Sequence, residues 1–584
     1  TGSARIMKMK PKQNRGRGKT MLHNANPAPA VPANAPAYIP ETKRTLRIGK
    51  SLLRLMKHPS THLFLVAFTF YAVIGIFGNR VYDMADYEGL SRVSQAFSAV
   101  FGRNPHLSAI GFIWPPLPAV SDIPFIILLR PFHLEILGGT FMSALYAGFT
   151  MVQLNNILKR FKVETGWRYI WLALFGLQPL ILHNASLGMS ETPFIGFLLF
   201  SLNGYLTWRQ ERKDSGIMMA GMGAWLALYC RYEALAWAAI MAVCICWNWL
   251  FRTGKTSPEK LEAELLSYLV PPAYGFIFWV FLNWTIMGDP LYFLTGPGAT
   301  SNTPDTAQTY GPNHLWYYAM DSIGGTLKLL TEEVSFVGPL LVVASIALLL
   351  FIVFKKRWID FDFILLGWSI VLFTCMIGYR GYLPAFSRYF IWLIPGGLIV
   401  TGAVYSSCEK KWMRLAVNFS LIVLMVFPII HEVGKKWDLI EEPMPQKILL
   451  SWIIAGEQQS VSYENDSLGE MQMIADYLNA QPDDTITIVD HSISMSLALM
   501  VDHPKNLVMT TDMDFFDILE NPIGRADQIL VPYPSFDARG RSQVLKYYPG
   551  IYEGFETWTT FAHEFSSPLP WRLFTINQTT QIGN

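Results

Sequence analysis

Charge is what this chain lacks most. Only 15% of its 584 residues are Asp, Glu, Lys or Arg, whereas a soluble domain usually carries about 25%. That excludes a surface solvated on all sides. Cysteine is also scarce: Cys230, Cys244, Cys246, Cys375 and Cys408 lie in or beside apolar runs. Cys244 and Cys246 are two positions apart, about 200° around a helix, and so point away from each other. A disulfide framework and a cysteine metal site are therefore not expected. There is no Gly-rich phosphate loop, no His-Glu-x-x-His and no Gly-x-Ser-x-Gly, which leaves no signal for ATP-driven, zincin or serine-hydrolase chemistry. Basic residues interleaved with aromatics are missing too, so no nucleic-acid partner is expected.

Apolar residues take the place of charge, at 51% with 14% aromatic. Their runs approach 20 residues, the length that crosses a bilayer as a helix. The pattern predicts spans near 62–78, 134–154, 168–184, 192–208, 216–232, 234–251, 266–287, 335–354, 362–379, 388–405 and 413–430, about eleven in all. With the N-terminus inside, the cytoplasmic loops contain Lys159-Arg160, Arg209 to Lys213, Arg252 to Lys260, Lys355 to Arg357 and Lys410 to Arg414, each basic as the positive-inside rule requires. Residues 112–130 are apolar enough to span, but a span there would invert every later loop. Pro115, Pro116, Pro118 and Pro124 instead predict an irregular segment at the membrane surface.

These spans divide the chain. Residues 1–60 hold 13 Lys and Arg against one acid, Glu41, and read as a disordered basic cytoplasmic tail. Residues 61–430 form an all-α polytopic domain with a first outer loop at 79–133 and a long outer loop at 288–334. A charged linker, 431–464, leads to a small extracytoplasmic α/β domain at 465–584. Strand-like runs at 485–489, 506–509 and 528–531 alternate there with helical patterns such as Glu470 to Leu478. The expected location is the plasma (inner) membrane.

Sorted by side, the ionisable residues gather outside. Asp83, Asp86 and Glu88 follow the first span, then Arg92, Arg103 and His106. His183, Asn184, Ser190 and Glu191 lie at the third-to-fourth turn, and Arg231, Tyr232 and Glu233 at the fifth-to-sixth. Asp289, Tyr310 and His314 fall in the long outer loop, and Arg380, Tyr382, Arg388 and Tyr389 precede the tenth span. Such groups at span ends are costly and mark functional sites. Other readings stand beside this one. Asp86 also suits the N-cap of a helix starting near Tyr87, Glu191 suits the first turn of a helix, and Arg231 can simply pair with Glu233. No comparable cluster of acids and Arg is expected on the cytoplasmic side.

The order of these elements resembles the C-type (GT-C) membrane glycosyltransferases, which include protein O-mannosyltransferase-like and aminoarabinose transferase-like enzymes. The resemblance covers roughly 60–430. It rests on the acidic pair after the first span, Pro115-Pro116-Leu117-Pro118, Ser190-Glu191, Arg231-Tyr232-Glu233-Ala234, and Ser387-Arg388-Tyr389 before Ile394-Pro395-Gly396. Trp114 stands where the family has His or Lys before Pro-Pro. The resemblance implies transfer of a sugar from a polyprenyl-phosphate or pyrophosphate donor to an acceptor, whose identity it leaves open, on the extracytoplasmic face. Asp83 would match the first-loop acid, with Asp86 as its partner or in its role, and Arg231 and Arg388 would meet the lipid phosphate. Glu191, Glu233, Tyr232, His106 and Tyr389 are further site candidates. The resemblance fixes no cofactor and leaves a divalent metal open, for which Asp83, Asp86 and Glu191 would supply oxygen. A transporter or flippase, or a non-catalytic scaffold subunit, remains the alternative.

Overall fold

The computed structural model describes residues 58–82, 84–252, 257–296, 299, 315–382, 386–434, 468–534, 542–567 and 569–578. The basic tail up to residue 57, most of the linker, Asp83, Tyr310 and His314 lie outside the described residues.

The apolar runs become helices. Six are long and apolar enough to cross a membrane among the described residues, and two bent pairs bring the number to eight. The chain is thus a polytopic integral membrane protein. The expected span at 234–251 coincides with the helix Ala234–Phe251, and that at 362–379 with Phe361–Tyr379. Others differ for local reasons. The expected span at 168–184 is two helices, Thr165–Gly176 and Pro179–Ser186. Pro179 cannot continue the first helix but suits the opening turn of the second. Pro179–Ser186 then meets Glu191–Glu211 at 107°, through a turn in which Gly188 has φ +78°. Likewise Ile323–Val337, within and beyond the segment read as a long loop, meets Leu340–Lys355 at 101° across Gly338-Pro339.

Residues 112–130 hold a 13-residue helix, Leu117–Leu129, with Pro118 in its first turn and Pro124 inside. At about 1.5 Å per residue it is too short for a hydrocarbon core of about 30 Å. It packs against the helix Tyr87–Phe101.

The C-terminal region is a five-stranded sheet in the order β2-β1-β3-β5-β4. β1 (Thr487–Val489), β2 (Leu507–Met509) and β3 (Gln528–Pro532) are parallel, and β3 pairs antiparallel with β5 (Leu569–Ile576). The hairpin of β4 (Thr559–Ser567) and β5 was not among the expected strands. Side chains alternate between faces, as a period of two requires. Ile488 and Val508 enter one core with Phe515, while Val489, Leu507 and Met509 enter another. That second core includes Leu90, Val93, Ala96 and Phe97 of the helix Tyr87–Phe101. The C-terminal domain is therefore built directly onto the first loop of the membrane domain.

One expectation fails. A buried cluster of acids and Arg does stand at the end of the bundle that carries the basic loops. Arg209 Nη2 lies 2.8 Å from Asp360 Oδ1, and its Nε 2.9 Å from Asp362 Oδ2. The Tyr205 hydroxyl donates to Asp362 at 2.6 Å. Asp360 falls in the loop before the expected span at 362–379 and Asp362 is that span's first residue, so a linear reading gives neither acid a buried partner.

A buried charge cluster as candidate active site

The helix Tyr87–Phe101 opens with Asp86 as its N-cap, whose Oδ1 accepts from the Glu88 amide at 2.9 Å. The capping reading of Asp86 is therefore correct, and the same carboxylate has a second use. Its Oδ2 lies 3.1 Å from His183 Nε2, on the short helix Pro179–Ser186. Burial alone would raise the Asp86 carboxyl. The His183 hydrogen bond, the charge of Arg388 and the Glu88 amide outweigh burial and hold it down to about 2. Asp86 is consequently a permanent anion and a weak proton acceptor.

One turn along, Glu88 and Arg92 pair at 3.2 Å in the i,i+4 arrangement that a helix favours. Glu88 also meets Arg388 Nη2. Arg388 stands on a short turn, Ser387–Phe390, that leads into the helix Leu393–Ser407. Its Nη1 is 3.9 Å from Asp86 and its Nε 3.5 Å from Glu191 Oε1. The Nε makes no hydrogen bond. Phe386 lies under the guanidinium at 4.5 Å. Glu191, at the start of the helix Glu191–Glu211, reaches Arg231 Nη1 at 2.5 Å. Arg231 in turn holds Glu233 at 2.7 Å and lies 4.9 Å over the Tyr389 ring. The result is an alternating chain, Glu233, Arg231, Glu191, Arg388, Glu88, Arg92, with Asp86 and His183 attached at Arg388.

Of the residues singled out from sequence, Asp86, Glu191, Arg231, Glu233, Arg388 and Tyr389 are brought together. Tyr232 instead braces the surrounding structure. Its hydroxyl donates to the Ile113 carbonyl at 2.8 Å and accepts from Trp279 Nε1. His106 lies outside the cluster, with Nδ1 against the Asn104 carbonyl. Sequence placed His183, Glu88 and Arg92 on this face without giving them a role. The i,i+4 spacing could have flagged Glu88 with Arg92, but no local signal links His183 to Asp86 across 97 residues. Trp114 is covered by the Arg92 guanidinium at 5.0 Å. A cation thus stands where the resemblance led one to expect His or Lys, but it comes from the neighbouring helix. Asp122, on Leu117–Leu129, is fully buried and its carboxyl has no hydrogen-bond partner. Burial pushes it well above the usual carboxylate range, against the pull of Arg92.

Close packing sets these distances. A Cβ on Gly89 would collide with the Leu187 carbonyl oxygen, so the helix bearing Glu88 lies directly on the turn that leads to Glu191. Among the described residues no group of three His, Cys, Asp or Glu is placed to hold a metal ion. Asp86, Glu88 and Glu191 are each turned toward a guanidinium instead.

No family model matches the chain, and no curated protein does. Solved structures do. ArnT from Cupriavidus metallidurans bound to undecaprenyl phosphate is 11% identical, with a TM-score of 0.52 over 89% of this chain and 99% of that one. The same enzyme in the apo state is 13% identical, with a TM-score of 0.47 over 88% and 97%. The archaeal oligosaccharyltransferase AglB from Archaeoglobus fulgidus, in complex with an inhibitory peptide and a dolichol-phosphate, is 11% identical, with a TM-score of 0.37 over 80% and 69%. The likeness to ArnT bound to undecaprenyl phosphate extends over nearly the whole of both chains. The expected fold, an all-α polytopic membrane domain followed by a small α/β domain, is borne out and is the fold of ArnT.

Proposed function

We propose that this protein is a membrane glycosyltransferase that moves a sugar from a polyprenyl-phosphate or pyrophosphate donor to an acceptor hydroxyl, with the charge cluster as its active site. The observation that carries this reading is Arg388. It is a buried guanidinium facing Asp86, Glu88 and Glu191, each of which has another cationic or hydrogen-bonding partner, and its Nε makes no hydrogen bond. Forked donors of this kind match phosphate oxygens. A phosphate entering the cluster can take Arg388 without leaving a carboxylate stranded. A structure of the same fold bound to undecaprenyl phosphate supports that ligand class.

In the reaction, the bond from the sugar C1 to the phosphate oxygen breaks and the phosphate keeps the electron pair. Arg388 and Arg231 would stabilise the charge that develops there, where exclusion of water strengthens the interaction. The acceptor oxygen bonds to C1 and its proton passes to a carboxylate. Asp86, held at about 2 and committed to His183 and the helix cap, is poorly suited to take it. Asp83 is the base in this reading. The extracytoplasmic face is the proposed side of transfer, with the C-terminal domain outside.

The test uses the full chain in nanodiscs and measures binding of undecaprenyl phosphate, then transfer from undecaprenyl-phosphate-linked sugars in liposomes. Wild type should bind the lipid, and D83N should bind it while losing at least about a thousandfold in transfer rate, the scale of a lost general base with its charge. Wild type without affinity for the lipid would overturn the reading. Full transfer by D83N would remove Asp83 from it.

A further inference from the structure

The helix Tyr87–Phe101 has two faces with different owners. Residues advance by about 100° each, so Glu88 and Arg92 share one face, while Leu90, Val93, Ser94 and Phe97 point the other way. The first face is the charge cluster. The second is buried in the C-terminal domain, in one core with Leu497, Leu530 and Trp571. Within that apolar contact a polar junction is buried. Ser94 Oγ lies 2.5 Å from His491 Nε2 and donates to the Met495 carbonyl at 2.6 Å. A serine has one hydroxyl proton. With that proton on the Met495 carbonyl, the short contact requires His491 to donate from Nε2. Both residues are buried, Ser94 completely. Their junction sits between the two turns that hold Arg92 and Ser98. At the ends of the helix the Tyr87 hydroxyl donates to the Ser492 carbonyl at 3.1 Å, and Asn104 binds Asp514 at 2.9 Å. On the membrane side, Gly89 lies directly on the Leu187 carbonyl.

From this geometry we infer that Ser94 and His491 are positioning residues for the proposed transfer: through their hydrogen bond the C-terminal domain fixes the rotation and height of the helix that carries Glu88 and Arg92 into the site. A core of aliphatic side chains tolerates sliding, whereas a buried donor that must find one acceptor does not. The domain is therefore part of the site's framework rather than an appendage. The inference rests on the proposed function only for its effect on ligand binding; its effect on the helix stands without it.

The experiment measures amide hydrogen exchange across residues 86–101 together with undecaprenyl phosphate affinity, in the full chain in nanodiscs. The variants are H491A, S94A and H491Q, the last placing an amide N–H close to the position of the imidazole Nε2. H491A and S94A should exchange residues 87–95 at least about tenfold faster and bind the lipid at least about tenfold more weakly, the loss of one buried hydrogen bond in H491A and of two in S94A. β1 and β3 should keep their protection, and H491Q should restore both readouts. Unchanged exchange in H491A and S94A would overturn the inference, as would H491Q behaving like H491A. If H491A also loosens β1 and β3, S94A, altered only on the membrane-domain side, decides between the two. Wild type without lipid affinity would refute the functional reading, while the exchange rates would still judge the positioning role.

Discussion

Two clusters of buried charge occupy opposite ends of one helix, Glu191–Glu211. Glu191 belongs to the first and Arg209 to the second, about 27 Å apart at 1.5 Å per residue. Around Arg209 the pairing is closed. Asp360 and Asp362 come from one short stretch, the Tyr205 hydroxyl completes Asp362, and Phe363 lies 4.5 Å under the guanidinium. Without Arg209, Asp360 would keep the half-exposed Arg357, whereas the fully buried Asp362 would keep no cation, only the Tyr205 hydroxyl and the Phe363 amide. Around Arg388 the pairing is redundant. Asp86 has His183, Glu88 has Arg92 and Glu191 has Arg231. The difference separates a charge that the fold needs from one that the fold can lend to a ligand.

The largest expected effect breaks the closed cluster. R209Q strands a fully buried carboxylate, and the chain should lose about 3–5 kcal/mol of stability, read from denaturation in mixed micelles, with the remaining folded fraction still able to bind undecaprenyl phosphate. A loss below about 1 kcal/mol would mean that the two clusters do not differ in this way. R388Q should show the reverse, with lipid affinity reduced about 100-fold, near 3 kcal/mol for charge-assisted bonds to phosphate, and a stability change of about 1 kcal/mol. If R388Q unfolds the protein as R209Q does, the redundancy argument fails.

Acid should distinguish the C-terminal domain from the membrane helices. Burial holds His491 down to about 4 from the usual 6.5. Below pH 6.5 the unfolded chain binds this proton before the folded domain does. Stability is therefore fully present above 6.5 and falls as the pH drops toward 4, by on the order of 3 kcal/mol. Exchange of the β-strand amides at stepped pH should reveal it, and H491Q should flatten the dependence. The smallest effect belongs to the contact between Arg92 and Trp114. W114A should lower stability by about 1 kcal/mol, the worth of a partly buried cation–π contact, and change lipid affinity by less than about fivefold.

Much of this architecture could be read from sequence, where the signal is local. Apolar runs gave the helices at 234–251 and 362–379 nearly residue for residue, and Pro-rich 112–130 was recognised as too irregular to span. Parallel β1 to β3 showed as short apolar runs. The hairpin of β4 and β5 escaped because His563 and Glu564 break any apolar pattern on an exposed strand. Residue types and their order led to Asp86, Glu191, Arg231 and Arg388. The partnerships did not follow, since Arg388 meets Glu88 across 300 residues and pairing at that range is set by packing. The acids around Arg209 were missed for the same reason. Their burial depends on helices that are distant in sequence, and a list of basic loops does not contain it.

Gly89 gives the site its dimension. Contact between the helix and the Leu187 carbonyl leaves no room for even one carbon between them. The separation of Glu88 from Glu191, and hence the space in which Arg388 sits, is encoded by an atom that is missing. Each larger residue at position 89 acts as a shim of known thickness, widening the charge cluster without altering any charge in it.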